Sequence, residues 1–214
     1  MLDYGFYNMD CMDGMREFPD KYFDLAIVDP PYGGATEASE IKCYRTGGQW
    51  ASKFGRHIEK WDNAPQKEYF DELFRVSKNQ IIWGGNYFKL PPTRCFIVWR
   101  KTNVPLDFTM AMAEYAWTSF NANAKVFDFS AVGQQNRFHP TQKPVDLYLF
   151  CLKNFAKQGD KILDTHAGSA SSLVACEKAG FRYVGFEIDK EYYEKAKRRL
   201  DTEKSQFSIF QFMG

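Results

Sequence analysis

The chain has little that would build a metal centre or a disulfide framework. Its 214 residues include five cysteines and three histidines. Cys11, Cys43, Cys95, Cys151 and Cys176 are odd in number, widely spaced and without a C-x-x-C pair. No cysteine–histidine cluster accompanies them, so neither zinc nor any other metal is expected. Reduced thiols of a cytoplasmic protein are the expectation. No apolar run is long enough to span a bilayer, so no membrane contact is expected. The start, Met1-Leu2-Asp3-Tyr4, has neither a basic stretch nor an apolar signal core. An excess of one charge is also lacking: 28 Lys and Arg against 27 Asp and Glu leave a net +1. That is weak support for a nucleic-acid partner, although positive charge can still be concentrated locally. No repeat, low-complexity tract or linker divides the chain, so one domain over residues 1–214 with a sizeable core is the expectation. Aromatic residues are abundant at 17%, which suits both a core and base stacking.

The most informative segment is Asp29-Pro30-Pro31-Tyr32. It follows the apolar run Leu25-Ala26-Ile27-Val28, read as a buried strand, and precedes Gly33-Gly34, read as a turn. A carboxylate, two rigid prolines and an aromatic ring thus sit at the carboxyl end of a strand, where open α/β sheets bind ligands. Methylation of an exocyclic amine on a planar base needs such a set. The amine lone pair is delocalised into the ring. Asp29 and the Pro30 carbonyl can accept its two N–H bonds and draw the nitrogen toward a tetrahedral, nucleophilic geometry. Tyr32 offers a face for an extruded base. Read alone, Pro-Pro is also an ordinary way to end a strand.

A second unit lies near the end of the chain. Lys161–Asp164 reads as a short strand, Thr165–Ser172 as a small-residue loop, and Ser169–Ala179 as a helix closed by Gly180. Arg182–Ile188 is the next strand and carries Glu187 near its end, roughly 20 residues beyond the loop, in a nucleotide-binding βαβ layout. Small residues admit a ligand close to the backbone, and a helix N-terminus offers free N–H groups. The loop lacks G-x-G-x-x-G spacing, which disfavours a dinucleotide. A plain βαβ unit without ligand is the other reading. Ahead of it, His139-Pro140-Thr141-Gln142-Lys143-Pro144 leads into an amphipathic helix, Val145–Lys157, with Pro144 in its first turn. Lys143 could reach a carboxylate and Thr141 hydrogen-bond it.

Together these segments resemble the S-adenosylmethionine-dependent DNA amino-methyltransferases. Asp29-Pro30-Pro31-Tyr32 is that family's strand-end motif unaltered; Asp10-Cys11 matches its lead-in, and residues 139–144 its cofactor-flanking motif. Asp164–Ser172 matches its glycine loop with changes: Thr165 and His166 replace a Pro and an aromatic residue, and Ala170 replaces the second glycine. Glu187 matches its ribose acid. The catalytic motif comes first and the cofactor loop last, which is the circularly permuted order of the beta class. Protein-glutamine and ribosomal-RNA guanine methyltransferases with a similar tetrapeptide usually have the opposite order. A cysteine nucleophile is set aside, because no Pro-Cys pair occurs.

The resemblance implies a Rossmann-like α/β methyltransferase fold, circularly permuted, with a mostly parallel twisted sheet and an antiparallel hairpin edge. It implies a single catalytic domain over residues 1–214 that uses S-adenosylmethionine on double-stranded DNA. Asp29, Pro30, Pro31 and Tyr32 would be catalytic, with Asp10 and Cys11 at the base. Thr141, Lys143, Asp164, His166, Gly168, Ser169, Glu187 and Ile188 would line the cofactor, with Thr141 and Lys143 at its amino-acid end. Asp before Pro-Pro points to adenine N6; cytosine N4 is the alternative, and a non-catalytic DNA- or cofactor-binding homologue a second one. Related permuted enzymes often dimerise, so a homodimer is also implied.

The remainder is less specific. Residues 33–61 read as a mobile basic loop, with Arg45, Lys53 and Arg56 as DNA-contacting candidates beside a plain solvated-loop reading. Thr102–Thr109 is a second DNA-reading candidate. Strands are expected at Phe6–Asn8, Gln80–Asn86, Cys95–Trp99, Glu114–Thr118 and Val126–Phe129, and a helix at Gln66–Val76. A last helix from Lys190 to about Leu200 would present Lys195, Lys197, Arg198 and Arg199 as a solvated face. Phe207–Phe212 alternates and is read as an edge strand or a subunit contact. Ala170 is expected to cost little, provided its φ is not positive.

Overall fold

A computed structural model describes residues 1–32, 63–104, 111–130 and 137–212, with side chains as far as 205. The expected basic loop with Arg45, Lys53 and Arg56, and residues 105–109 of the second DNA-reading candidate, lie outside the described residues. Strand β2 (Phe23–Val28) buries every residue except Asp24. A strand apolar on both faces belongs at the centre of a sheet covered on both sides. β2 lies there, parallel to β3 (Ser77–Trp83) and to β7 (Lys161–Asp164). With β1 (Gly5–Asn8), β4 (Phe96–Lys101), β5 (Ala113–Thr118), β6 (Lys125–Phe129) and β8 (Arg182–Glu187), the order is β1-β8-β7-β2-β3-β5-β4-β6. β5 runs antiparallel to β3 and β4, whereas β6 closes that edge parallel to β4. The fold is the Rossmann-like α/β sheet the sequence implied, with the antiparallel hairpin one strand in from the edge.

Side chains alternate across the sheet and meet helices on each face. Leu25, Ile27, Ile81 and Trp83 pack with α3 (Val145–Phe155), α4 (Ser171–Ala179) and α5 (Lys190–Phe212). Ala26, Val28 and Ile82 pack with Met15 of α1 (Cys11–Arg16) and with Leu73 and Val76 of α2 (Lys67–Val76). Each fully buried Leu, Ile or Val contributes about 1.5–3 kcal/mol, so a charge at Ile27 would remove much of what fixes β2 in place.

Several boundaries differ from expectation for physical reasons. β3 ends at Trp83, because Gly84 takes a left-handed φ of +67° and a 3-10 turn, Gly85–Tyr87, follows. Pro144 is the N-cap of α3 rather than a first-turn residue, and α3 ends at Phe155. α4 begins at Ser171, not Ser169: its N-cap, Ala170, is left-handed at φ +58°. The condition on which Ala170 would be harmless is therefore not met, and its backbone carries a strain of about 1–2 kcal/mol. α5 does not stop near Leu200. No Gly or Pro interrupts residues 190–212, and the helix takes in Phe207–Phe212, which is not a strand. Arg199 is likewise not part of a solvated face: its guanidinium donates to the Ser169 carbonyl at 2.9 Å and to Ser171 Oγ at 3.0 Å, bracing the loop before α4.

Candidate active site

The chain leaves β7 through α4 to β8 on one side, and leaves β2 toward α2 and β3 on the other. The β7–β2 boundary is therefore the topological switch point, where adjacent strands open a crevice at their carboxyl ends. Asp164 ends β7, Asp29 follows β2, and Glu187 ends β8.

On the β7–β8 side, Asp164 is buried. Its Oδ1 accepts the His166 N–H at 3.0 Å and its Oδ2 the Ser172 hydroxyl. Burial pushes its carboxyl up to about 7 despite those bonds. Glu187 accepts the N–H groups of Gly168 at 2.9 Å and of Asp189 at 2.8 Å, and burial pushes it up to about 7 as well. Two carboxylates are thus held by neutral donors. Gly168 lies at φ +52°, and a Cβ there would come within 3.1 Å of the His139 ring. The His139 ring meets Tyr192 edge-on at 4.4 Å, and Thr141 Oγ1 lies 3.2 Å from its Nδ1. Burial, with Arg137 and Lys143 nearby, lowers His139 to about 3. His166 Nδ1 lies 2.9 Å from Thr165 Oγ1, which in turn lies 2.6 Å from the Tyr69 hydroxyl. Burial lowers His166 to about 4. Both rings are neutral near pH 7, and His166 has a hydrogen-bond partner in Thr165 beside the loop.

Buried carboxylates with no salt bridge among the described residues suit a ligand that brings hydroxyls and positive charge, and the glycine at 168 keeps the loop against His139 clear. That donor set fits S-adenosylmethionine, with its ribose diol, ammonium and sulfonium. Ser169 is buried, its Oγ 3.1 Å from Ser171 Oγ, while Ile188 is 60% exposed beside Glu187.

On the β2 side, the two oxygens of Asp29 have different partners. Oδ1 accepts the Tyr32 hydroxyl at 2.7 Å, and Oδ2 accepts the Lys143 ammonium. Tyr32 stacks on Tyr87 with centroids 4.9 Å apart and meets Phe88 edge-on. Its ring lies so close to Gly84 that a Cβ there would approach to 2.1 Å; close contact and positive φ both require glycine. Lys143 reaches a carboxylate, as the sequence suggested, but carboxylates of the protein itself. Besides Asp29 it lies 3.2 Å from Glu114 Oε2, and Glu114 Oε1 pairs with Lys101 at 2.7 Å. The buried Trp83 ring centroid lies 5.6 Å from the Lys143 ammonium.

Asp10 serves as the N-cap of α1, accepting the Met12 N–H at 2.7 Å. Burial, together with Asp10, pushes the Cys11 thiol up to about 12, away from the thiolate form. Asp29, Tyr32 and Lys143 therefore meet, as do Gly168 and Glu187, with Asp164 at the end of the adjacent strand. Thr141 sits by His139. Spacing did not reveal Lys101, Glu114, Arg199 or Tyr87. The one signal available was an acid inside the otherwise apolar β5 run.

Residues 98–198 match the DNA methylase family. Along its length the chain is similar to the Type II methyltransferase M2.MboI of Moraxella bovis, 24% identical over 92% of this chain and 87% of that protein. Among solved structures, the M1.HpyAVI–SAM complex superposes with a TM-score of 0.58 at 20% identity, covering 91% of this chain and 98% of that one. The PvuII DNA methyltransferase, described as cytosine-N4-specific, superposes with a TM-score of 0.60 at 13% identity, covering 96% and 91%.

Proposed function

We propose that this chain, which belongs to the S-adenosylmethionine-dependent DNA amino-methyltransferase family, methylates the N6 amine of adenine in double-stranded DNA. The observation that carries this reading is the Asp29 carboxylate at the switch point, with Tyr32 on one oxygen and a buried ammonium on the other. Bound S-adenosylmethionine would supply the methyl group on a sulfonium, the amine lone pair forming N–C as the S–C electron pair returns to sulfur, and one amine proton would leave to water by way of the Asp29 carboxylate. Glu187 would take the ribose hydroxyls, and Asp164 with the Gly168–Ser169 backbone would line the cofactor. Exposed Ile188 offers an apolar surface for its base. Tyr32 would exchange its hydrogen bond to Asp29 for a stack on the flipped-out base. Asp29 Oδ1 and the Pro30 carbonyl would accept the amine hydrogens, and Pro31 would hold the turn rigid. Positioning supplies much of the acceleration. Asp10 and the Cys11 N–H would border the base, and Arg45, Lys53 and Arg56 would contact DNA. Permuted motif order, a single catalytic domain over residues 1–214 and a homodimer belong to the same proposal.

Cytosine N4 is the second reading, favoured by the likeness in fold to the cytosine-specific PvuII enzyme. Asp rather than Ser before Pro-Pro supports adenine. Incubation with cofactor and unmethylated DNA, digestion to nucleosides and mass spectrometry separate the cases. N6-methyladenine is expected. N4-methylcytosine keeps the chemistry and overturns the base. Cofactor binding with no methylated nucleoside points to a non-catalytic homologue.

A further inference from the structure

The chain of charges Lys101–Glu114–Lys143–Asp29 is longer than holding one catalytic carboxylate requires. Glu114 stands on β5 and Lys101 ends β4, strands that carry none of the motif residues. Lys143 has a side-chain exposure of only 5% and touches both carboxylates. An ammonium so buried loses its charge unless carboxylates outweigh the desolvation. Here burial, which lowers Lys143, is outweighed by Asp29 and Glu114. Glu114 would be raised by its own burial, but Lys143 and Lys101 hold it down at about 2.

We propose that Glu114 is a positioning residue: by sharing the Lys143 ammonium with Asp29, and being anchored itself by Lys101, it fixes the orientation of the carboxylate that receives the target amine. This rests on the methyltransferase reading of Asp29. The two Asp29 oxygens then differ in kind. Oδ2 stays pinned by Lys143, whereas among the described residues Oδ1 is held by Tyr32, the residue that must turn to the base. The amine is directed to one oxygen. Among the described residues, the other titratable groups facing the cluster are Tyr69 of α2, Tyr148 of α3, Asp164 at the end of β7, Tyr32 with Tyr87 stacked on it, and Arg137 and His139 ahead of α3. A Glu114 variant retains all of them.

The test compares wild type, Glu114→Gln and Glu114→Asp. One arm is kcat on DNA from pH 6.5 to 10.5. The other is the titration of the Lys143 side chain in ligand-free protein carrying 13C-labelled lysine, followed by NMR. Wild-type Lys143 is expected not to titrate below pH 10.5. E114Q is expected to lose kcat tenfold or more toward alkaline pH, with Lys143 titrating in the same interval. Its cofactor dissociation constant at pH 7.5 should stay within twofold, and Glu114→Asp should recover most of the activity at alkaline pH. A wild-type Lys143 that titrates in this range overturns the proposal whether or not the variants fold. An E114Q profile parallel to wild type overturns it too, because a merely structural loss would be equal at every pH. Wild-type protein that transfers no methyl group overturns the methyltransferase reading and this role with it, an outcome distinct from an unmoved profile.

Discussion

Asp164→Asn should make the ligand-free protein more stable, and more so at alkaline pH. Burial moves the Asp164 carboxyl from an ordinary 3.8 to about 7 in the folded chain. A carboxyl raised by folding contributes stability that is fully present below the unfolded value and is lost as pH rises through the folded one. The window is therefore pH 4 to 7. Each pH unit corresponds to about 1.36 kcal/mol, so the ionised group costs at most about 4 kcal/mol at pH 8.5 and about 1.6 kcal/mol at pH 5. Asparagine escapes this cost. Its Oδ1 can keep the His166 N–H, and its amide can donate to the Ser172 hydroxyl, which turns round to accept. At about 2–4 °C per kcal/mol for a chain of this size, the gain in Tm at pH 8.5 should exceed that at pH 5 by at least about 4 °C. Thermal unfolding followed by circular dichroism at the two pH values measures this. The variant should also gain less Tm from added S-adenosylmethionine than wild type does, because it has lost the charge that suits a cationic ligand. An equal gain at both pH values, or a less stable variant at pH 8.5, would refute the reasoning.

Further outcomes follow from the same geometry. Glu187→Ala should weaken cofactor binding by about tenfold or more, roughly 1.4 kcal/mol; an unchanged dissociation constant by calorimetry would remove its ribose role. Tyr32→Phe keeps the ring and frees Asp29 Oδ1, so most of kcat/KM should survive, whereas Tyr32→Ala loses a stack worth about 1–3 kcal/mol. Equal losses in the two variants would mean that the hydroxyl, not the ring face, matters. Ala170→Gly should be nearly neutral in chemical denaturation, since relief of about 1–2 kcal/mol of left-handed strain is offset by the lost methyl and the freer unfolded chain. A loss above about 2 kcal/mol would show that the methyl fills space the loop needs.

The centre of the sheet was legible because β2, β3, β7 and β8 each carry an apolar run that stops at a Gly or an acid. The two halves of the site were legible for the same reason, since Asp29, Asp164 and Glu187 all mark strand ends. The strain at Ala170 was not, because an alanine does not by itself declare a positive φ, and the glycine it replaces was the only hint. α5 ran past its expected end because a helix continues until something breaks it, and the alternation at Phe207–Phe212 does not. Lys101 and Glu114 were missed because their partnership is made across strands and leaves no spacing in the chain. Lys143 was expected to reach a carboxylate, and the ones it meets, Asp29 and Glu114, lie far from it in the chain, where spacing gives no sign of them.

The central claim is that Asp29 acts on the target amine and not on the cofactor. Methyl transfer to unmethylated DNA by Asp29→Ala, measured beside cofactor binding by calorimetry on the same sample, tests it most directly. The expected result is loss of transfer with a cofactor dissociation constant close to wild type. Transfer retained at a rate near wild type would contradict the account.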